Sequence, residues 1–124
     1  MSIEHFEVPW GNPSIYSSAV RHGDLIFTAG QLGIEEGKPT DFATQAEIAL
    51  TRLIGAVQAA GGGLETILKI NAFLASMERD FATYNETYKR IIAVEPKPAR
   101  TSFQIGGFPG AILLEVEAIA FRKS

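Results

Sequence analysis

The chain has 124 residues and a mass of 13.4 kDa, the size of one domain with a single core, expected over residues 1–124. It carries no cysteine, which excludes disulfides, thiolate catalysis and cysteine-based metal sites. Its formal charge of −3 gives no electrostatic reason to expect nucleic acid as a partner. Glu4 and Glu7 stand where a signal peptide would need a basic stretch and then an apolar run, and no apolar run approaches the ~20 residues of a membrane-spanning helix. The expectation is a cytoplasmic protein without a membrane partner.

In chain order, Ile15 to Val20 and Leu25 to Ala29 read as strands, with Arg21-His22-Gly23-Asp24 as the tight turn between them. Gly30 to Pro39 reads as a loop, with Gly30, Gly33 and Gly37 giving backbone freedom. A helix follows. Phe42, Ala46, Ala49, Leu50, Leu53, Ile54, Val57 and Ala60 recur at three- and four-residue steps, leaving Gln45, Glu47, Thr51, Arg52 and Gln58 to the outer face. Thr40 or Asp41 caps its start and Gly61-Gly62-Gly63 ends it.

Ile67 to Leu74 is a strand by its branched, apolar content. A second helix carries Phe81, Tyr84, Tyr88 and Ile91/Ile92 on one stripe, with Asp80 near its start and Lys89 and Arg90 near its end, matching the helix dipole. Pro96 and Pro98 stop helical structure. From Arg100 to Ile105 the residues alternate, placing Thr101, Phe103 and Ile105 opposite Arg100, Ser102 and Gln104. A glycine-rich loop over Gly106 to Gly110 leads to a last strand, about Ile112 to Phe121. This order is that of an α+β fold, one mixed sheet with two helices on one face. Both sides of the last strand are largely apolar, which points to a homo-oligomer covering the second face.

Three segments resemble the RidA/YjgF (reactive intermediate deaminase) superfamily. Ile26-Phe27-Thr28-Ala29-Gly30-Gln31 is similar to its strand ending in Thr-Ser-Gly-Gln. Pro98-Ala99-Arg100-Thr101-Ser102 is similar to its Pro-Ala-Arg-Ser-Cys signature, and Leu114-Glu115-Val116-Glu117-Ala118-Ile119-Ala120 to its C-terminal strand. Phe81 to Tyr88 also resembles the family's second helix, so the likeness runs from about Tyr16 to Arg122. The resemblance implies a chorismate-mutase-like fold, a homotrimer with sites between subunits, and hydrolysis of enamines and imines such as 2-aminoacrylate to 2-keto acids and ammonia.

A protonated imine is already an electrophile, so that chemistry requires no metal or organic cofactor. By resemblance, Arg100 binds the substrate carboxylate, as a guanidinium can with two charge-assisted hydrogen bonds; otherwise it is an interface arginine. Glu115 aligns with the glutamate that handles water, with Glu117 on the same face as structural, and the two roles are exchangeable. Tyr16 either lines the pocket or is a half-buried strand residue. Asn85 either meets substrate or steadies a loop, and Gln31 and its neighbours present backbone groups. Tyr84 and Tyr88 read as core. Ala29 replaces a family serine. Ser102 replaces a family cysteine and keeps a hydrogen-bond donor for a carboxylate.

Histidines 5 and 22 lack a partner at metal-ligand spacing, and no serine sits in a Gly-x-Ser-x-Gly context. Two other functions stay open. One is deamination of a larger, aminomuconate-type enamine, with room supplied by Gly106, Gly107 and Gly110. The other is a small-carboxylate-binding module without turnover, which would keep Arg100 but not need Glu115.

Overall fold

The computed structural model describes residues 2–34 and 38–124. Within the loop expected over Gly30–Pro39, residues Glu35, Glu36 and Gly37 lie outside the described residues, as does Met1. The strands are β1 (Ile3–Phe6), β2 (Ala19–His22), β3 (Leu25–Thr28), β4 (Gln31–Leu32), β5 (Ile67–Leu74), β6 (Ala99–Gln104) and β7 (Leu114–Phe121). They form one mixed sheet in the order β1-β2-β3-β7-β5-β6, with β4 also paired to β7. Only β5 and β6 run parallel among the described pairs. Helices α1 (Phe42–Ala59) and α2 (Met77–Ile91) pack together and cover one face, as an α+β fold requires.

Both helices have the ends their sequences call for. The Asp41 side chain accepts from Thr44 N at 2.8 Å, and Gly61, at φ 98°, follows the last turn of α1. Ser76 caps α2, with Glu78 and Asp80 in its first turn and Lys89 and Arg90 in its last. Their inner faces meet Ile26, Ile70, Leu74, Leu114 and Val116 of the sheet, all fully buried.

Four sequence expectations are corrected, each by a competing hydrogen bond or pairing, and one strand, β1, is additional to those expected. The stretch Ile15–Ser18 is not strand: Asn12 O accepts from Ile15 N and Tyr16 N around Pro13, so the chain turns there and β2 starts at Ala19. Strand β1 pairs with β2 although its polar sequence, with three exposed residues, hides it. Gln31–Leu32, expected in a loop, pairs with Val116 and Glu115 of β7.

Gln45, placed on the outer face by periodicity, is completely buried. Its amide donates to Thr40 O at 3.2 Å and Ala111 O at 2.9 Å, and its Oε1 accepts from Leu113 N at 2.9 Å. That clamp takes the backbone groups of Ala111 and Leu113 out of ladder pairing, so β7 begins at Leu114 rather than Ile112. Gln45→Ala strands Leu113 N–H without a partner in the core. It is expected to cost about 1–3 kcal/mol, read as a lower midpoint in urea unfolding.

The registers divide the side chains between two faces. Ile70↔Arg100 and Ala72↔Ser102 lie on the helix side with Ala118, Val116 and Leu114. Asn71, Phe73, Thr101, Phe103, Glu115 and Glu117 lie on the other side. That second face carries no helix. Phe73 and Phe103 meet edge to face at 4.9 Å, and Leu25, Phe27, Phe103 and Phe121 are each at least 40% exposed.

Candidate active site

Two cavities hold most of the residues singled out by sequence, each a different set, and Ser102 lines neither. A cavity of about 410 Å³ is lined by Trp10, Tyr16, Gln31, Arg52 and Glu115 among others. A more open one of about 470 Å³ is lined by Asn85, Tyr88, Lys89, Lys97, Pro98 and Arg100. Arg100 and Glu115 are therefore not brought together within one chain. Their strands are separated by β5, and their side chains leave the sheet on opposite faces.

On the helix side, Arg100 lies over three rings of α2. Its guanidinium carbon is 4.8 Å from the Tyr88 centroid, 5.5 Å from Tyr84 and 5.7 Å from Phe81, within cation–π range. Tyr84 Oη, Tyr88 Oη, Asn85 Oδ1 and Ser102 Oγ are buried and have no hydrogen-bond partner among the described residues. Buried polar groups are normally paired, so these four orphans on two elements beside Arg100 have unused hydrogen-bonding capacity. Burial pushes the Tyr84 and Tyr88 hydroxyls up from their ordinary value, although the Arg100 charge draws each partway back. Both stay protonated and can donate.

On the other side, the break between β3 and β4 shapes the first cavity. Strand β3 pairs with β7 only as far as Ile119, and the Thr28 hydroxyl accepts from Ala118 N at 3.0 Å beyond the last paired residue. The chain then passes Glu115 so closely that a Cβ on Gly30 would stand 2.5 Å from Glu115 Cδ and would displace that side chain. Burial, and then the Glu117 charge two residues on, raise Glu115 above the usual carboxylate range. Glu117 itself accepts from Asn71 Nδ2 at 3.1 Å.

Gln31 is buried with both ends of its amide engaged: Oε1 accepts from Trp10 Nε1 at 2.7 Å, and Nε2 donates to Ala29 O at 3.1 Å. Tyr16, released from the sheet by the Asn12 turn, lies 43% exposed at the cavity wall. Gly106, Gly107 and Gly110 line neither cavity, so within one chain that loop does not enlarge either one. Among the described residues no three His, Cys, Asp or Glu side chains group as metal ligands, and no helix is long and apolar enough to cross a membrane.

The family model described as Endoribonuclease L-PSP, that of the YjgF/RidA proteins, matches residues 12–122. The chain belongs to the YjgF/RidA family. Protein mmf2, mitochondrial, of Schizosaccharomyces pombe is 36% identical over 95% of this chain and 94% of its own length. TdcF of Escherichia coli, provisionally named a reactive intermediate deaminase, is 34% identical over 88% of each chain. The crystal structure of E. coli TdcF with bound serine superimposes with a TM-score of 0.82, covering 97% of this chain and 99% of TdcF at 32% identity. Yeast Mmf1 superimposes with a TM-score of 0.86 at 26% identity, covering 98% and 100%.

Sequence reading passed over three residues that touch the candidate site. Tyr84 and Tyr88 are core residues, as expected, but their faces also carry Arg100. Arg52, assigned to solvent by helix period, reaches back to donate to Leu32 O at 3.0 Å and stacks 5.6 Å from the Trp10 ring. A lone tryptophan in a polar N-terminal segment was the available signal for that contact.

Proposed function

We propose that this chain hydrolyses reactive 2-imino and 2-enamino acids, such as 2-aminoacrylate, to 2-keto acids and ammonia. The observation that carries the reading is Arg100 held on three aromatic rings amid four unpartnered buried polar atoms, a setting suited to a small carboxylate. The aromatic faces leave the guanidinium edge free to fork onto the carboxylate. Ser102 and the tyrosine hydroxyls have donors to add.

Glu115 supplies the other half. An enamine takes up a proton at its terminal carbon to give the iminium. Glu115, ionised, accepts a proton from water as the water oxygen bonds to the iminium carbon. The carbinolamine then receives that proton on nitrogen and expels ammonia, leaving the carbonyl. The sum is one iminium and one water to one 2-keto acid and one ammonium, with no change of oxidation state. Tyr16 closes the wall beside the reacting carbon.

Because Arg100 and Glu115 leave opposite faces of one sheet, a shared substrate requires two chains. In this reading the exposed apolar face is the interface of a chorismate-mutase-like homotrimer, and each site takes Arg100, Asn85 and Ser102 from one subunit and Tyr16, Gln31 and Glu115 from the next. The test couples a pyridoxal-phosphate dehydratase acting on serine to this protein and follows pyruvate. Faster release than the spontaneous rate is expected; no acceleration by a folded oligomer rejects the reading.

The raised Glu115 sets a pH dependence. As pH falls through a pKa above the ordinary glutamate value, the carboxylate takes up a proton and can no longer accept one from water. The acid limb of kcat should therefore lie above the usual carboxylate range. Glu117→Gln removes one of the two causes, so the limb should shift to lower pH, measured as a pH–rate profile beside wild type.

A further inference from the structure

The cavity beside Glu115 contains a cation that the hydrolysis above does not use. Arg52 projects from α1 into its wall, with one Nη fixed by Leu32 O at 3.0 Å and the guanidinium laid against Trp10. Trp10 is itself fixed, its Nε1 donating to Gln31 Oε1 at 2.7 Å, and Gln31 is fixed to Ala29 O. The arginine is thus held at both its edge and its face, an ordering cost that a merely solvated arginine avoids.

Its remaining N–H groups meet no carboxylate among the described residues. Glu47, five positions earlier on the same helix, is committed to Arg90 at 3.2 Å. At about 410 Å³ the cavity is near the small end of ligand pockets, which run roughly 300–1,000 Å³, with room for a short side chain beyond the reacting carbon. An immobilised guanidinium at the wall of such a cavity matches a second carboxylate.

We propose that Arg52 is a specificity-determining residue that binds a distal carboxylate, so that this chain favours 2-imino acids with an acidic side chain, such as 2-iminoglutarate. The inference rests on the site reading above: Arg100 of one subunit takes the α-carboxylate and Arg52 of the next takes the side-chain carboxylate. Glu115 shares the Arg52 cavity, so water meets the imine carbon between the two anchors.

Trp10 is the sole tryptophan of the chain and touches Arg52, so its fluorescence reports occupancy directly. The intact oligomer is titrated with 2-ketoglutarate and with 2-ketobutyrate, product analogues with and without the second carboxylate. At least tenfold tighter binding of 2-ketoglutarate is expected, with the ratio falling toward one in Arg52→Gln and partly kept in Arg52→Lys. Equal or weaker binding of 2-ketoglutarate by wild type overturns the proposal, as does a ratio that survives in a folded Arg52→Gln oligomer. A general loss of structure would weaken both ligands alike and leave the ratio, and Arg52→Lys decides the matter should Arg52→Gln not fold.

Turnover separates this inference from the function it rests on. Hydrolysis of 2-iminobutyrate without a 2-ketoglutarate preference leaves the deaminase standing and removes the role of Arg52. Selective 2-ketoglutarate binding without hydrolysis of either imine keeps the role of Arg52 and removes the deaminase.

Discussion

Arg100→Ala is expected to lower kcat/KM for 2-iminobutyrate by about 30- to 5,000-fold, the equivalent of the 2–5 kcal/mol lost when one member of a buried charge pair is removed. The size follows from its surroundings. Tyr84, Tyr88 and Phe81 hold the guanidinium in place before any ligand arrives, so the ordering cost is met in the folded protein. Arg100→Lys should recover little, because an ammonium cannot fork onto a carboxylate from the same position. Single-turnover rates on enzymatically generated imine measure both variants. A rate within twofold of wild type for Arg100→Ala would remove the carboxylate anchor from the mechanism.

Glu115→Gln is expected to lower kcat by roughly 10²–10⁴, the range of a lost general base. The same variant should be more stable than wild type at neutral pH. The folded state raises the Glu115 pKa, so this group favours folding below the unfolded value and that contribution is lost as pH rises through the folded one. Glutamine has no charge to desolvate. Thermal unfolding at pH 7 against pH 4 should show the gain at the higher pH only. The two variants also test where the site lies. Co-assembled Arg100→Ala and Glu115→Gln chains should regain activity that neither has alone, at about one site in four for random pairing at a heterologous interface. No recovery in a verified mixed oligomer would place both groups in a single-chain site, against the registers of β6 and β7.

Much of the fold was legible because periodicity and caps agreed. The stripe of α1, the Asp41 cap and the glycine after Ala60 all point to the same helix. The errors fall where a side chain takes over a backbone group. Gln45 looks like a surface residue because its burial depends on Ala111 and Leu113, far away in sequence. Asn12 accepts two amides that alternation alone would assign to a strand. In the candidate site, Arg100 and Glu115 were visible only because the short motifs around them resemble those of the family. Arg52 was not. Its direction is set by Leu32 and Trp10, which only the folded chain brings to α1. The separation of Arg100 from Glu115 was also hidden, because it follows from β5 lying between their strands.

On the proposed function, the uncovered sheet face, with Phe27, Phe103 and Phe121 turned outward, would tie catalysis to mass action. If each site is completed by a second copy, specific activity is not a constant of the molecule but a function of how much of it is present. On dilution it should decline in step with the assembled fraction, while secondary structure persists in the separated chains. A cell holding this protein at low abundance would then have less than a proportionate share of its activity, and a modest rise in synthesis would return more than a proportionate gain.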